Sequence, residues 1–190
     1  MNDTVYCYPG TDVLKNKLGI HDIAILHEAE RDITARRLMQ LQNHPIAGNF
    51  DYAHLKAIHR FLFRDIYSWA GEERTVDIAR THMFCNVKFI HPMAVEIFGK
   101  LAKENFLKEL ARDVFIERLT WFFSEVNALH PFREGNGRTQ REFFRELGNA
   151  AGHNIDYSGI TESEMVQASI DSFLKNYDSM ERLFYKAIKR

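Results

Sequence analysis

Apolar residues recur along most of this chain at steps of three and four. The clearest case is the run from Arg112, where Phe115, Leu119, Phe122, Val126 and Leu129 follow at steps of four, three, four and three. That spacing predicts an amphipathic helix ending near Leu129, and its richness in Phe and Leu marks it as the central helix. From Asp22, residues Ile23, Leu26, Ile33 and Leu38 fall near one helical face, with Asp22 placed to cap the start and Pro45 beyond the end. Glu28, Arg31, Asp32 and Arg36 would form its solvated side. Leu55, Ile58, Leu62 and Ile66 outline a second helix, closed by Gly71. Pro92 opens a third, through "MAVEIFGKLAKENFLKEL". "GRTQREFFRELGNAAG" reads as another, ending near Gly152, and two more fill 160–190. Between them the period changes. Val76 and Ile78 alternate with polar neighbours, and Phe84, Val87 and Phe89 are strand formers around Cys85-Asn86, which predicts a small β-hairpin. Residues 1–20 show no pattern and read as an arm. The predicted fold is therefore mainly α with one short hairpin. Residues 1–50 form an arm and a helix that pack on a core domain spanning 51–190.

Composition changes this picture little. The chain has 190 residues, 45% of them hydrophobic and 27% charged, which suits one soluble domain with a substantial core. Fifteen Phe imply a core built on aromatic packing. The formal net charge of −1 supplies no basic field for holding nucleic acid without sequence preference. Cys7 and Cys85 form no metal-type or redox-type pair and read as reduced thiols. No apolar run approaches the ~20 residues of a membrane span, and the N-terminus lacks the layout of a signal peptide. The reading is cytoplasmic, with secretion by a leaderless route as the alternative.

Candidate chemistry concentrates in "HPFREGNGRTQR", residues His130 to Arg141. Gly135 and Gly137 bracket Asn136 where one helix should end and the next begin. Glycines there permit backbone conformations that side chains forbid and let a ligand approach the main chain. The first N–H groups of the new helix lack intrahelical partners and stand at the positive end of its dipole, so they form an anion-binding cup. Arg138 and Arg141 are three apart and share a helix face, and arginine forks match phosphate oxygens. Together these features point to a polyphosphate. Glu134 beside such a cup is repulsive unless a cation intervenes. Mg²⁺ prefers one or two carboxylates plus phosphate oxygens and water, so Glu134 is the candidate ligand. The plainer alternative is a capping or surface Glu. His130, at the end of the preceding helix, can serve as a general base toward an incoming hydroxyl. The other eight histidines read as structural, hydrogen-bonded residues. Pro131 and Phe132 read as anchors, with Phe132 turned into the core, and Arg133 as solvent-facing or partner-reading. The spacings of a P-loop and of a dinucleotide fingerprint are both absent.

"HPFREGNGR" followed by Arg141 resembles the Fic motif, H-P-F-x-[D/E]-G-N-G-R-x-x-R, at every fixed position. "FLFRDIYSWAGEERTVDIAR" and "VNALHPF" extend the resemblance over roughly 50–187. The resemblance implies a Fic-type helical bundle with a hairpin flap. It also implies a protein adenylyltransferase that moves AMP from ATP to a Tyr, Thr or Ser hydroxyl of a target protein and releases pyrophosphate. By position, His130 would deprotonate the target hydroxyl and Glu134 would bind Mg²⁺. Gly135, Asn136 and Gly137 would cradle phosphates, Arg138 would hold the γ-phosphate and Arg141 would position the nucleotide. The hairpin near Arg80, Thr81, His82, Met83 and Phe84 would be the flap that aligns the target. Related Doc-type kinases bind ATP reversed, and Gly137 with Arg138 favour AMP transfer. The Doc-like kinase and a non-catalytic nucleotide-binding module are the alternatives.

Many Fic proteins carry an inhibitory [S/T]-x-x-x-E-[G/N] helix whose Glu pairs with a motif arginine. Ser68 reaches Glu72 but is followed by Glu73, and Ser158 reaches Glu162 but is followed by Ser163, so neither fits. The expected partner is accordingly a separate small antitoxin protein, with this chain as the toxin. A degenerate internal inhibitor in 22–42 or 172–188 is the alternative. No nucleic-acid or membrane partner is expected.

Overall fold

The computed structural model describes residues 3–79 and 83–189. Among these residues seven α-helices follow in chain order: α1 (Ile23–Asn43), α2 (Tyr52–Phe63), α3 (Ile90–Lys103), α4 (Arg112–Leu129), α5 (Asn136–Ala150), α6 (Glu162–Phe173) and α7 (Asp178–Ala187). The start signals work as the residue types dictate. The Asp22 carboxylate accepts from the N–H of Ala24 and Ile25, Asp51 accepts from His54, and Thr161 with Glu164 forms a capping box on α6. Pro92 sits in the first turn of α3, where its missing N–H leaves no intrahelical bond unmade.

α4 is the central helix. It packs against α3, α5, α6 and α7, and all five residues of its predicted apolar stripe are buried. Phe123 meets Phe144 of α5 and Phe184 of α7 with ring centroids 5.3 Å apart in each case, and Phe143 meets Phe144 edge-on at 5.2 Å. α2 lies on α5, and α1 covers α2. Tyr6, Cys7, Val13 and Leu14 of the unpatterned N-terminal segment join the same apolar cluster, as do Leu26 and Leu41 of α1.

Three expectations need correction. The second helix does not reach Gly71 but ends at Phe63, because the N-terminal segment takes its last carbonyls: Lys17 Nζ donates to the Arg64 carbonyl and Lys17 N–H to that of Ile66. The third helix stops at Lys103, short of the predicted run, where Asn105, Phe106 and Leu107 turn to positive φ. The hairpin is reduced, among the described residues, to one antiparallel bridge between Ala79 and Met83. Val87–Phe89 is a 3₁₀ turn leading into α3, not a strand. Asp77 accepts the Val87 N–H at 2.9 Å and Asn86 accepts the Lys88 N–H at 3.1 Å, so side chains take the bonds a ladder would need. Arg80, Thr81 and His82 lie outside the described residues.

Phe144 of α5 is fully buried and packs on Phe123 of α4. Phe144→Ala should lower stability by ~3–5 kcal/mol, read as a drop in the midpoint of denaturant unfolding at unchanged slope.

Candidate functional site

The site forms where α4 hands the chain to α5. His130 closes α4 in the left-handed region, at φ 46° and ψ 60°, a conformation uncommon for a residue with a side chain. Its Nδ1 lies 3.2 Å from the Asn127 carbonyl, which can only accept, so Nδ1 carries the proton and Nε2 is the acceptor nitrogen. Phe84 stacks on the imidazole, with ring centroids 3.7 Å apart and 16° between planes.

After His130 the loop is held from both sides. Phe132 is buried and stacks on His59 at 3.8 Å, the inward anchor its position predicts. The Asn136 side chain closes the loop on itself, accepting from the Phe132 N–H at 2.9 Å and donating to the Phe132 carbonyl at 2.7 Å. Buried His59 accepts from Gly71 N–H at Nδ1, 2.7 Å, and so donates from Nε2 to the Glu134 carbonyl at 3.0 Å. Burial pushes the His59 pKa down to about 3, which keeps this two-sided neutral clamp intact. Gly135 has φ +80°, and a Cβ there would stand 2.2 Å from the Phe63 ring. Only glycine fits.

Gly135 delivers the chain into α5 with no side chain capping the new helix. Among the described residues the backbone N–H groups of Asn136, Gly137 and Arg138 make no hydrogen bond; the first to do so is Thr139, to Gly135. These three donors, at the positive helix end, form the expected cup. Asn136 gives it a backbone N–H only, since its side chain is committed to Phe132. Glu134 bends one oxygen to the Gly135 N–H at 2.9 Å and stands 3.6 Å from Arg138. Its other oxygen makes no hydrogen bond among the described residues.

The two motif arginines differ. Arg138 donates to Thr34 at 3.1 Å and to Glu30, both from α1, and lies over the Phe63 ring at 4.9 Å. Glu30 is buried and also accepts from the Tyr67 hydroxyl at 2.5 Å. Arg141 makes no ion pair or hydrogen bond among the described residues. Burial pulls its guanidinium pKa down and neighbouring Arg138 adds to this, while Tyr157 and Glu162 act against it. An anion in the cup would relieve that strain on its charge.

The inward face of α1 is thus Leu26, Glu30, Thr34 and Leu41. Ile23, expected inside, is exposed. Glu30 and Thr34 were missed by periodicity because they are polar; their own spacing of four, in line with Leu26, is the available signal. Arg133 is another correction. It does not point freely into solvent but is partly buried and pairs with Asp3 at 2.6 Å, pinning the N-terminal segment to the loop. Arg74 was also missed. Nearly fully buried, it donates to the carbonyls of His130 and Val76 at 2.9 Å each and to that of Cys85, and its own N–H donates to the Pro131 carbonyl at 2.8 Å. One side chain therefore ties the segment around the Ala79–Met83 bridge to the motif loop. Nothing in its local sequence marks that role.

The Fic/DOC family model matches residues 49–147. The chain is 42% identical over 179 residues to the protein adenylyltransferase VbhT of Bartonella schoenbuchensis, covering 94% of this chain and 37% of that one. It is 37% identical over 184 residues to a probable protein adenylyltransferase Fic of Salmonella typhimurium, covering 96% and 91%. The crystal structure of the Bartonella tribocorum effector BepC with bound AMPPNP superimposes with a TM-score of 0.91 at 32% identity, over 97% of this chain and 96% of that one. The chain therefore spans about a third of the first relative and nearly all of the other two.

Two measurements check the loop. Gly135→Ala should destabilise by at least ~1–2 kcal/mol through the left-handed backbone alone, with displacement of Phe63 in addition, read by thermal unfolding. For His59 the folded pKa lies below the ordinary 6.5. Its contribution is complete above pH 6.5 and shrinks as the pH falls toward 3, by up to ~1.4 kcal/mol per unit, because only the unfolded chain takes up the proton. Between pH 6.5 and 5 stability should fall, and His59→Gln should flatten that slope. The salt-bridged carboxylates Asp3 and Glu164, whose pKa values are lowered, lose their advantage only at more acid pH.

Proposed function

We propose that this chain, which belongs to the Fic/DOC family, is a protein adenylyltransferase that transfers AMP from ATP to a hydroxyl side chain of a target protein. The observation that carries this reading is the pairing of an uncapped helix N-terminus with a histidine whose tautomer is fixed. The cup of Asn136, Gly137 and Arg138 N–H groups, with Arg141, suits a polyphosphate. His130 Nε2 accepts the proton of the target hydroxyl. The hydroxyl oxygen then bonds to the α-phosphorus, the bond from that phosphorus to the bridging oxygen breaks, and pyrophosphate leaves into the cup. Such a transfer depends on positioning and charge neutralisation, which these fixed donors supply.

The residues present suit Mg²⁺. Among the described residues no three His, Cys, Asp or Glu side chains gather to cage a metal. A nucleotide-borne Mg²⁺ needs no such cage, only a carboxylate or two beside phosphate oxygens and water. Glu134 would hold it through the oxygen that Gly135 does not engage. When bound, the ion would neutralise charge between Glu134 and the phosphates.

The segment from Ala79 to Phe84 would align the target beside His130, with Arg74 fixing its base. Residues 1–50 would pack as an arm and helix on a Fic domain of 51–190. The setting would be cytoplasmic, and among the described residues no helix is long and apolar enough to cross a membrane. A separate small antitoxin protein is the proposed inhibitor. The internal alternative has one observation behind it, the Glu30–Arg138 pair from α1. We read that pair as a positioning contact, because Glu30 is buried and shared with the Tyr67 hydroxyl.

With α-labelled ATP, Mg²⁺ and a cell lysate, the chain should label a protein band, and His130→Ala should reduce that label ~10²–10⁴-fold while ATP still binds. Label arriving only from γ-labelled ATP would instead indicate a kinase. Glu30→Ala should lower the transfer rate and the melting temperature together. A rise in transfer would identify Glu30 as an internal inhibitor.

A further inference from the structure

Next to His130, behind the Phe84 ring that stacks on it, the surface opens into a cavity of about 260 Å³ that no residue of the phosphate cup lines. Its walls are Phe84 and Met83, Met93 and Ile97 of α3, and Leu129 and Glu125 of α4. It is smaller than the ~300 Å³ at which sites for whole small molecules begin, so it suits one long side chain. Phe84 joins it to the reaction centre, because one face of that ring stacks on His130 and the residue also lines the cavity. Its rim is exposed and apolar, with Met83 at 60% and Met93 at 37% exposure. Apolar surface at the mouth of a cavity next to a reactive group marks a place where a protein partner docks.

Glu125 sets the character of the site. It is the one ionisable wall residue besides Cys85, and it makes no ion pair or hydrogen bond among the described residues. Burial pushes its carboxyl pKa up. Lys100 and Lys175 act against this and Glu96 adds to it, but neither lysine pairs with Glu125, and Lys100 is engaged by Glu96 at 2.7 Å. An apolar hollow with a carboxylate that no cation pairs among the described residues matches a side chain with an aliphatic stem and a cationic tip.

We propose that this cavity is a specificity pocket for a lysine or arginine of the target protein lying close to the acceptor hydroxyl. The inference rests on the adenylyltransferase reading above, since it concerns that reaction's protein substrate. The stem would lie along Met93, Ile97 and Leu129, and the tip would meet Glu125. Glu125 then contributes to target KM and leaves ATP binding alone, because none of Asn136, Gly137, Arg138 and Arg141 lines the cavity it belongs to.

The test uses the whole chain. The band labelled from α-labelled ATP in a lysate is identified, its acceptor is mapped by mass spectrometry, and the purified target is assayed. A Lys or Arg should occur within about three residues of the acceptor in sequence or space. Changing it to Glu should raise target KM about ten-fold with little change in kcat, and Glu125→Lys should restore that charge-reversed target while weakening the native one. ATP affinity, measured by titration, should be unaltered in Glu125→Lys. An acceptor with no basic neighbour, or a charge swap that changes nothing, overturns the pocket while leaving the transfer activity standing. If no band takes label although ATP binds, the adenylyltransferase reading fails, and the pocket assignment with it.

Discussion

Everything at this site depends on one steric constraint, the contact between Gly135 and the Phe63 ring. A Cβ at 135 would overlap the ring, and the backbone there is left-handed. That backbone turns the chain from α4 into α5 within six residues, so that His130 and the first N–H groups of α5 are brought close together. Asn136 and His59 then remove the remaining freedom, one from within the loop and one from α2. Among the described residues three donors are left without protein partners. Unpaired N–H groups are costly unless water or a ligand meets them, so the fold has spent stability on a preformed anion site.

Electrostatics at the cup are asymmetric. Arg138 is matched by Glu30 and Thr34, so its guanidinium is held in place but largely neutralised. Arg141 keeps an unmatched charge in a mostly buried setting. A polyphosphate would therefore meet one rigid, partly compensated arginine and one uncompensated arginine, with the helix end between them. α1 is more than a cover in this arrangement. Its inward face gives up apolar burial at positions 30 and 34 to set the position of Arg138, and the short Tyr67 hydrogen bond ties that choice to the core.

A second asymmetry runs across His130. One side faces the phosphate cup and the other is the Phe84 ring, beyond which lie the cavity and the segment anchored by Arg74. Because Arg74 donates to the carbonyls of His130, Val76 and Cys85 at once, it ties the end of α4 to the segment that precedes α3. Arg133 and Asp3 extend that tie to the N-terminal segment, which the packing of Tyr6 and Cys7 makes part of the core.

The helices were legible because each buries an apolar stripe with period 3.6, and α4 shows this most cleanly with Phe115 to Leu129. The motif was legible because its chemistry is local: a glycine that must be left-handed, donors at a helix start, a histidine five residues before. Where side chains compete for backbone donors, local pattern misleads. Val87 and Phe89 favour strands, yet Asp77 and Asn86 divert the hydrogen bonds and a 3₁₀ turn results. Contacts distant in sequence left no periodic trace. Arg74 reaches His130 across 56 positions and Arg138 reaches Glu30 across 108. The sequence by itself determined which residues are the candidates for chemistry, since those are neighbours along the chain. Only the tertiary structure decided which arginine is neutralised, that His59 is a clamp, and what lies beyond Phe84, because each depends on side chains that meet only after the helices have packed.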